Sequence, residues 1–457
     1  MSEQTGARRA WLEGPLAPVP DEIDAVDLPV TGTLPDELTG RYFRNGPNPA
    51  PGEVTDHWFS GHGMVHGIRL RNGRAEWYRN RWVRTAKLTD DAVFVRPDLT
   101  FDRTAVSANT HVVPHNGRIY ALVEIGFPYE LTPELDTVGP CDFGGRLTTA
   151  MTAHPKEDPR TGDLLFFGYG FLPPYLTYHR LSADGELVES REVEVPRSTM
   201  MHDFAITENH VVWLDLPMVF DVGLALQGRI PYSWDDGYGY RLGVMPRDPS
   251  AGTAVTWFDI DPCFIFHVGN AHEDAEGRVV LDAARYSPRD FARLWSAIGG
   301  LPMAEAVTAA AVTGDARMHR WTLDPATGKC VEEPLDDRGV EFPTHDEART
   351  GLEHRYLYAA SRDSIVKYDV RTGSTTAHTP GPGLVPGEAA FVPASGARNE
   401  DEGWLLSIVS DVAGTGSELL VLDASDLSPT ASVRLPRRVP AGFHGSWIPD
   451  PADTPGA

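Results

Sequence analysis

Cysteine is nearly absent from this chain: Cys141, Cys263 and Cys330 are the only three among 457 residues. An odd number at wide spacing excludes a disulfide framework and a C-x-x-C metal site. Lysine is almost as scarce, at Lys87, Lys156, Lys329 and Lys367. Acidic residues outnumber basic ones, 65 to 40, for a net charge of −25. That balance argues against a nucleic-acid phosphate backbone as partner, and against attachment to anionic lipid by charge alone. No apolar run approaches the roughly 18 residues of a membrane span. The opening M-S-E-Q-T-G-A-R-R-A-W is followed by no apolar core of a secretory signal. A soluble, cytoplasmic protein without nucleic-acid partners is the expectation.

Glycine and proline, by contrast, are plentiful at 44 and 38 residues, and they recur throughout. Between them lie short β-type runs such as R-I-Y-A-L-V-E, D-L-L-F-F-G-Y, H-V-V-W-L-D-L and E-L-L-V-L-D-A. Short runs bounded by turn chemistry predict an all-β protein. A weak repeat joins a histidine, a polar Gly or Asn turn and an apolar strand. It is visible in H-V-V-P-H-N-G-R-I-Y-A-L-V, H-P-K-E-D-P-R-T-G-D-L-L-F-F, H-D-F-A-I-T-E-N-H-V-V-W-L and H-V-G-N-A-H-E-D-A-E-G-R-V-V-L. Repeated hairpins of this kind suggest propeller blades, with D-P-A-T-G-K, D-V-R-T-G-S and D-A-S-D-L-S as outer turns. Seven blades would take about 65 residues each, against ~40–50 for a plain blade, so loop insertions must fill the excess. The expected architecture is one propeller domain over residues 1–457, with a helical or loop cap on one face. That cap is placed at 291–312, F-A-R-L-W-S-A-I-G-G-L-P-M-A-E-A-V-T-A-A-A-V, either as a packed helix or as the wall of an apolar tunnel.

Sixteen histidines are present. His57, His62 and His66 sit close together in H-W-F-S-G-H-G-M-V-H, but strand alternation and two glycines would split them, so structural roles are expected. His179, His210, His319, His354 and His378 fall in turns or polar strands and are expected to be solvated; His272 is expected at the surface. Four others, His154, His202, His267 and His444, stand at strand-like positions across almost 300 residues. They can meet only where a fold gathers strand ends about an axis, and four converging imidazoles would suit a transition metal. Spacing alone leaves satisfied core histidines as the simpler account.

Longer motifs carry a resemblance. G-R-Y-F-R-N-G-P-N-P, H-W-F-S-G-H-G-M-V-H-G-I-R-L, and the closing series G-E-A-A-F-V-P, E-D-E-G-W-L-L-S-I-V-S-D and R-V-P-A-G-F-H-G-S-W resemble the carotenoid cleavage oxygenases over nearly the whole chain. The resemblance implies a seven-bladed propeller with one Fe(II) per chain held by His154, His202, His267 and His444. It also implies glutamates that fix the ligand imidazoles, at Glu124, Glu341 and Glu388; the residues after Pro343 depart from the family pattern. A carboxylate on the outer ring nitrogen would set each tautomer and offset the charge of a neutral-ligand site. Six-coordinate iron keeps positions open where structural zinc closes at four.

The implied reaction is scission of a carbon–carbon double bond by O₂ to give two carbonyl products. An apolar polyene or aryl-alkene would lie in a tunnel for which Phe127, Phe264, Phe266, Trp295 and Phe443 are candidates. Lignostilbene-cleaving relatives grip a phenol through a Tyr and a Lys. Lysine is missing from E-I-G-F-P-Y-E-L, and Trp82 stands in the region where the Tyr is expected, which favours a carotenoid or apocarotenoid over a stilbene. Peripheral membrane contact for substrate uptake, a retinoid-type isomerisation, a calcium-dependent lactonase-like propeller hydrolase and a non-catalytic propeller platform are the remaining alternatives. Oligomeric state is left open.

Overall fold

In the hairpin joining His111–His115 to Arg118–Leu122, Asn116 and Gly117 both take positive φ, 47° and 70°. Two left-handed residues in a two-residue loop match the right-handed twist of the strands they join, which is why Asn-Gly stands there. The same punctuation shapes a computed structural model that describes residues 9–98, 100–300 and 316–450. Its strands form seven antiparallel blades around an axis, with a small extra hairpin.

Five blades take their strands in chain order, spanning 111–140, 156–192, 204–259, 264–334 and 341–378. The other two close the ring. The late strand Gly445–Pro449 pairs with Gly40–Arg44, and Val30–Gly32 pairs with Pro429–Arg434. Both chain ends are therefore stitched into blades built mainly by the opposite end. The turns D-P-A-T-G-K, D-V-R-T-G-S and D-A-S-D-L-S do join outer strands. Part of the extra length goes to insertions: the hairpin Met218–Phe220 with Tyr232–Trp234, and the helices Val222–Leu226 and Pro288–Ala297.

Blades stack face to face, so their central strands are buried on both sides; every residue of Leu164–Tyr169 is buried. This stacking corrects two expectations of solvation. His179 is buried against Phe166 and bonded to Thr149 and Ser190. His354 is buried with its Nε2 3.1 Å from Asp282. His57, His62 and His66 are also buried, in three unrelated roles. His57 accepts from the Phe59 amide, His62 meets Glu53, and His66 meets Tyr78.

The helix Pro288–Ala297 begins where Ser287 caps the Asp290 amide and proline takes the first turn, whose missing N–H costs nothing there. Phe291, Leu294 and Trp295 are its buried face. This part of the expected cap is a packed helix; residues 301–312 of it lie outside the described residues.

Candidate functional site

His154 and His202 each lie just before the first strand of a blade, His267 lies within the long first strand Phe264–Glu273, and His444 precedes the ring-closing strand. Leading strands of neighbouring blades touch around the axis. All four side chains are buried, and one ring nitrogen from each lies within 4.8 Å of the others. The Nε2 atoms of His154 and His202 are 3.0 Å apart, and those of His202 and His267 are 3.1 Å apart.

Three of the outer ring nitrogens face carboxylates. Glu124 meets His202 Nδ1, Glu341 Oε2 lies 2.6 Å from His267 Nδ1, and Glu388 Oε1 lies 2.9 Å from His444 Nδ1. Each glutamate is itself held. Glu341 also accepts from the Phe342 amide, Glu388 from the Gly445 amide, and Glu124 from the Tyr169 hydroxyl. A carboxylate can only accept, so Nδ1 of each partnered ring carries the proton and Nε2 presents a lone pair inward. Inward lone pairs 3.0 Å apart repel unless a cation lies among them. With metal–imidazole bonds of about 2.1 Å, ligands at a right angle stand roughly 3.0 Å apart and tetrahedral ones roughly 3.4 Å. The donor set therefore fits a divalent transition metal with room beyond four ligands. Calcium, which takes oxygen ligands, does not suit it.

The electrostatics agree at two of the rings. Burial, then the neighbouring imidazoles, hold His154 and His444 well below the ordinary histidine range, so both offer lone pairs at neutral pH. Burial works against a proton on His267 too, but the adjacent Glu341 outweighs it and raises this ring. Burial pushes the Glu388 carboxyl up, against the pull of His111 and the Gly445 amide.

Against these rings lies a cavity of about 180 Å³ whose wall includes His202, His267 and His444. Phe266 and Phe443 line it, together with Trp58, Phe59, Tyr169 and Phe342. Phe127, Phe264 and Trp295 do not. Phe127 packs into the cluster around Tyr120 and Leu147. Phe264 is fully buried behind Phe266, its ring 4.3 Å from Phe291. Trp295 backs His57 and Phe59, while Leu294 and Ile298 beside it reach the wall. Trp82 is equally remote, packed with Val19 and Met64 and donating to the Asn48 carbonyl. No lysine or arginine lines the cavity among the described residues.

Two neighbours of the centre escape sequence reasoning. His111 bridges the Ala153 carbonyl and Ser446, with its ring 4.9 Å from His444. Its place in the first of the repeated hairpins was the available signal. Tyr169, which holds Glu124, ends a strand that otherwise looks like plain core.

Comparison with known proteins places this geometry. Residues 16–449 match the model of the retinal pigment epithelial membrane protein family. A carotenoid cleavage oxygenase of Mycobacterium tuberculosis is 40% identical over 97% of this chain and 98% of its own length. The lignostilbene dioxygenase of Pseudomonas brassicacearum superposes with a TM-score of 0.86 at 30% identity, covering 96% of this chain and 98% of that one. A cobalt-substituted apocarotenoid oxygenase of Synechocystis gives 0.81 at 26%, covering 94% and 97%. The chain belongs to the carotenoid cleavage oxygenase family, and with it to the dioxygenases that split carbon–carbon double bonds.

Proposed function

We propose that the chain holds one Fe(II) on His154, His202, His267 and His444 and uses O₂ to split a double bond of a carotenoid or apocarotenoid into two carbonyl products. The observation that carries this reading is the meeting of inward imidazole lone pairs at the wall of an apolar cavity free of cationic side chains among the described residues. When bound, the ferrous ion supplies the activation of O₂ beside the alkene. The residues supply geometry and a dry surrounding. Phe266 packs edge-on to His202 at 5.0 Å, and Phe342 stacks on His267 at 4.9 Å, so the ligand rings cannot swing. Glu124, Glu341 and Glu388 keep the protons on the outer nitrogens. Phe59 and Phe443 contribute aromatic rings to the wall a polyene would lie against. No side chain in the wall needs to act as acid or base.

A second reading, an aryl-alkene such as a 4-hydroxystilbene, draws on the close superposition with the lignostilbene enzyme. Against it, Val123 and Ile125 flank Glu124 in the wall, and among the described residues no ammonium group is there to meet a phenolate. Aerobic incubation of the iron-loaded protein with apocarotenal and stilbene panels, with product masses measured, decides between them. Paired carbonyl fragments from apocarotenals are expected, and none without O₂. Cleavage of stilbenes alone would favour the second reading, and equal product without O₂ would defeat both.

The same proposal includes peripheral contact with a lipid bilayer, from which such substrates are drawn. Helix Pro288–Ala297 is packed inward and does not serve it. Instead Leu172, Val222 and Leu226 project into solvent at 62, 63 and 85% exposure. They adjoin Phe171 and Phe220, whose rings stack 4.6 Å apart, and Phe171 and Ile230 continue into the cavity wall. Each leucine buried in lipid is worth about 1.5–3 kcal/mol. Leu172→Glu with Leu226→Glu is therefore expected to weaken sedimentation with phosphatidylcholine vesicles by at least about tenfold. Unchanged binding would remove this face from the account.

A further inference from the structure

Asp203 follows His202 in the chain and is only 1% exposed. Its carboxylate is bonded to no imidazole of the centre. Oδ1 lies 2.8 Å from Lys156 Nζ and accepts from the Phe204 amide at 2.7 Å. Oδ2 accepts from the Val268 amide at 2.8 Å. Lys156 stands two residues after His154, and Val268 directly follows His267. One buried carboxylate thus ties together the segments that carry three of the four histidines.

The Val268 contact has a local cause. Strand Phe264–Glu273 loses regular register with its neighbour between Ile265 and Val268, and again between Val268 and Asn270. Such irregularities re-aim side chains and free backbone groups from the ladder. Here the amide of Val268 turns to Asp203, so the carboxylate fixes the backbone at the point where His267 leaves the strand pattern. His444 has an equivalent arrangement by other means, since Glu388 holds both its ring and the next amide. Burying the Asp203 carboxylate costs desolvation that its attraction to the partly exposed Lys156 ammonium barely repays, so stability alone is a weak reason for the pair.

We propose that Asp203, paired with Lys156, is a positioning residue that holds His154, His202 and His267 in register for metal binding; this rests on the metal-centre reading above. Asparagine at 203 keeps one acceptor and places an NH₂ either against the ammonium and the Phe204 amide or against the Val268 amide. The test is competition of Co²⁺ and Fe²⁺ binding against a chelator, with the visible spectrum of the Co²⁺ protein and the melting temperature of the metal-free protein. Asp203→Asn is expected to bind both metals about tenfold more weakly, the lower end for groups that orient ligands, with an altered Co²⁺ spectrum. Asp203→Asn with Lys156→Met removes both charges and is expected to recover melting temperature without recovering metal affinity. Wild-type affinity and spectrum in Asp203→Asn would overturn the inference, as would a double variant that regains affinity together with stability. A wild-type protein that binds neither metal would instead defeat the metal-centre reading, and this inference with it.

Discussion

Replacing His267 with alanine is expected to abolish iron retention and to lower alkene cleavage at least about a thousandfold, the equivalent of the several kcal/mol a metal ion contributes to such a step. The ring supplies one of four inward nitrogens, and its Nε2 stands 3.1 Å from that of His202. The remaining three donors leave the site short of a ligand and leave Glu341 facing the gap. Misfolding is a poor explanation for the loss, because Glu341 keeps the Phe342 amide as a donor. Imidazole added in excess should enter the space left by the ring and restore part of the iron, which a collapsed fold would not permit. Iron stoichiometry by elemental analysis, O₂ uptake and product formation are the measurements. Full iron occupancy in the variant would take His267 out of the ligand set. The same loss is expected for His154, His202 and His444, each judged separately. His154 is distinctive in that no glutamate meets its outer nitrogen among the described residues.

How much of this site the sequence carries depends on the kind of information each part needs. Hairpins were legible because turns such as Asn116-Gly117 require backbone shapes that few residues adopt. The four histidines and three glutamates came from long motifs, and spacing alone would not have separated them from buried histidines such as His354. Cavity residues were harder, because sequence proximity to a ligand says little about direction. On a regular strand Phe266 and His267 would face opposite sides. The register shift after Ile265 allows both to face the cavity, while Phe264 turns into the packing against Phe291. Trp295 failed for a related reason. It shares a buried helix face with Leu294, yet only Leu294 and the nearby Ile298 reach the wall. His179 misled because a polar-looking strand in a stacked blade is covered on both sides, and His354 because the turn before Tyr356–Ala360 packs onto Asn270 and Asp282; period-two patterning reveals neither.

Glu388→Gln is expected to weaken iron binding by about 10–100-fold, and the two other glutamates need not respond alike. Glu388 accepts from two fixed donors, His444 Nδ1–H and the Gly445 amide at 2.6 Å. A glutamine has one acceptor oxygen, so its NH₂ must face one of those donors. If it faces the imidazole, the proton moves to Nε2 and the inward lone pair is lost; if it faces the amide, a buried N–H is left unpaired. Glu341→Gln is spared this conflict, because His267 Nδ1 and the Phe342 amide both meet its Oε2, so one amide oxygen can serve both. Glu124 escapes it by another route, because its second donor is the Tyr169 hydroxyl. A hydroxyl can turn and accept from the new NH₂ while the amide oxygen still serves His202. Iron affinity measured by chelator competition should therefore fall further in Glu388→Gln than in Glu341→Gln or Glu124→Gln. Adding Tyr169→Phe to Glu124→Gln removes the accommodating hydroxyl and should deepen the milder loss. Wild-type affinity in Glu388→Gln, or the largest loss in Glu124→Gln, would contradict the hydrogen-bond logic by which these carboxylates set the imidazole tautomers.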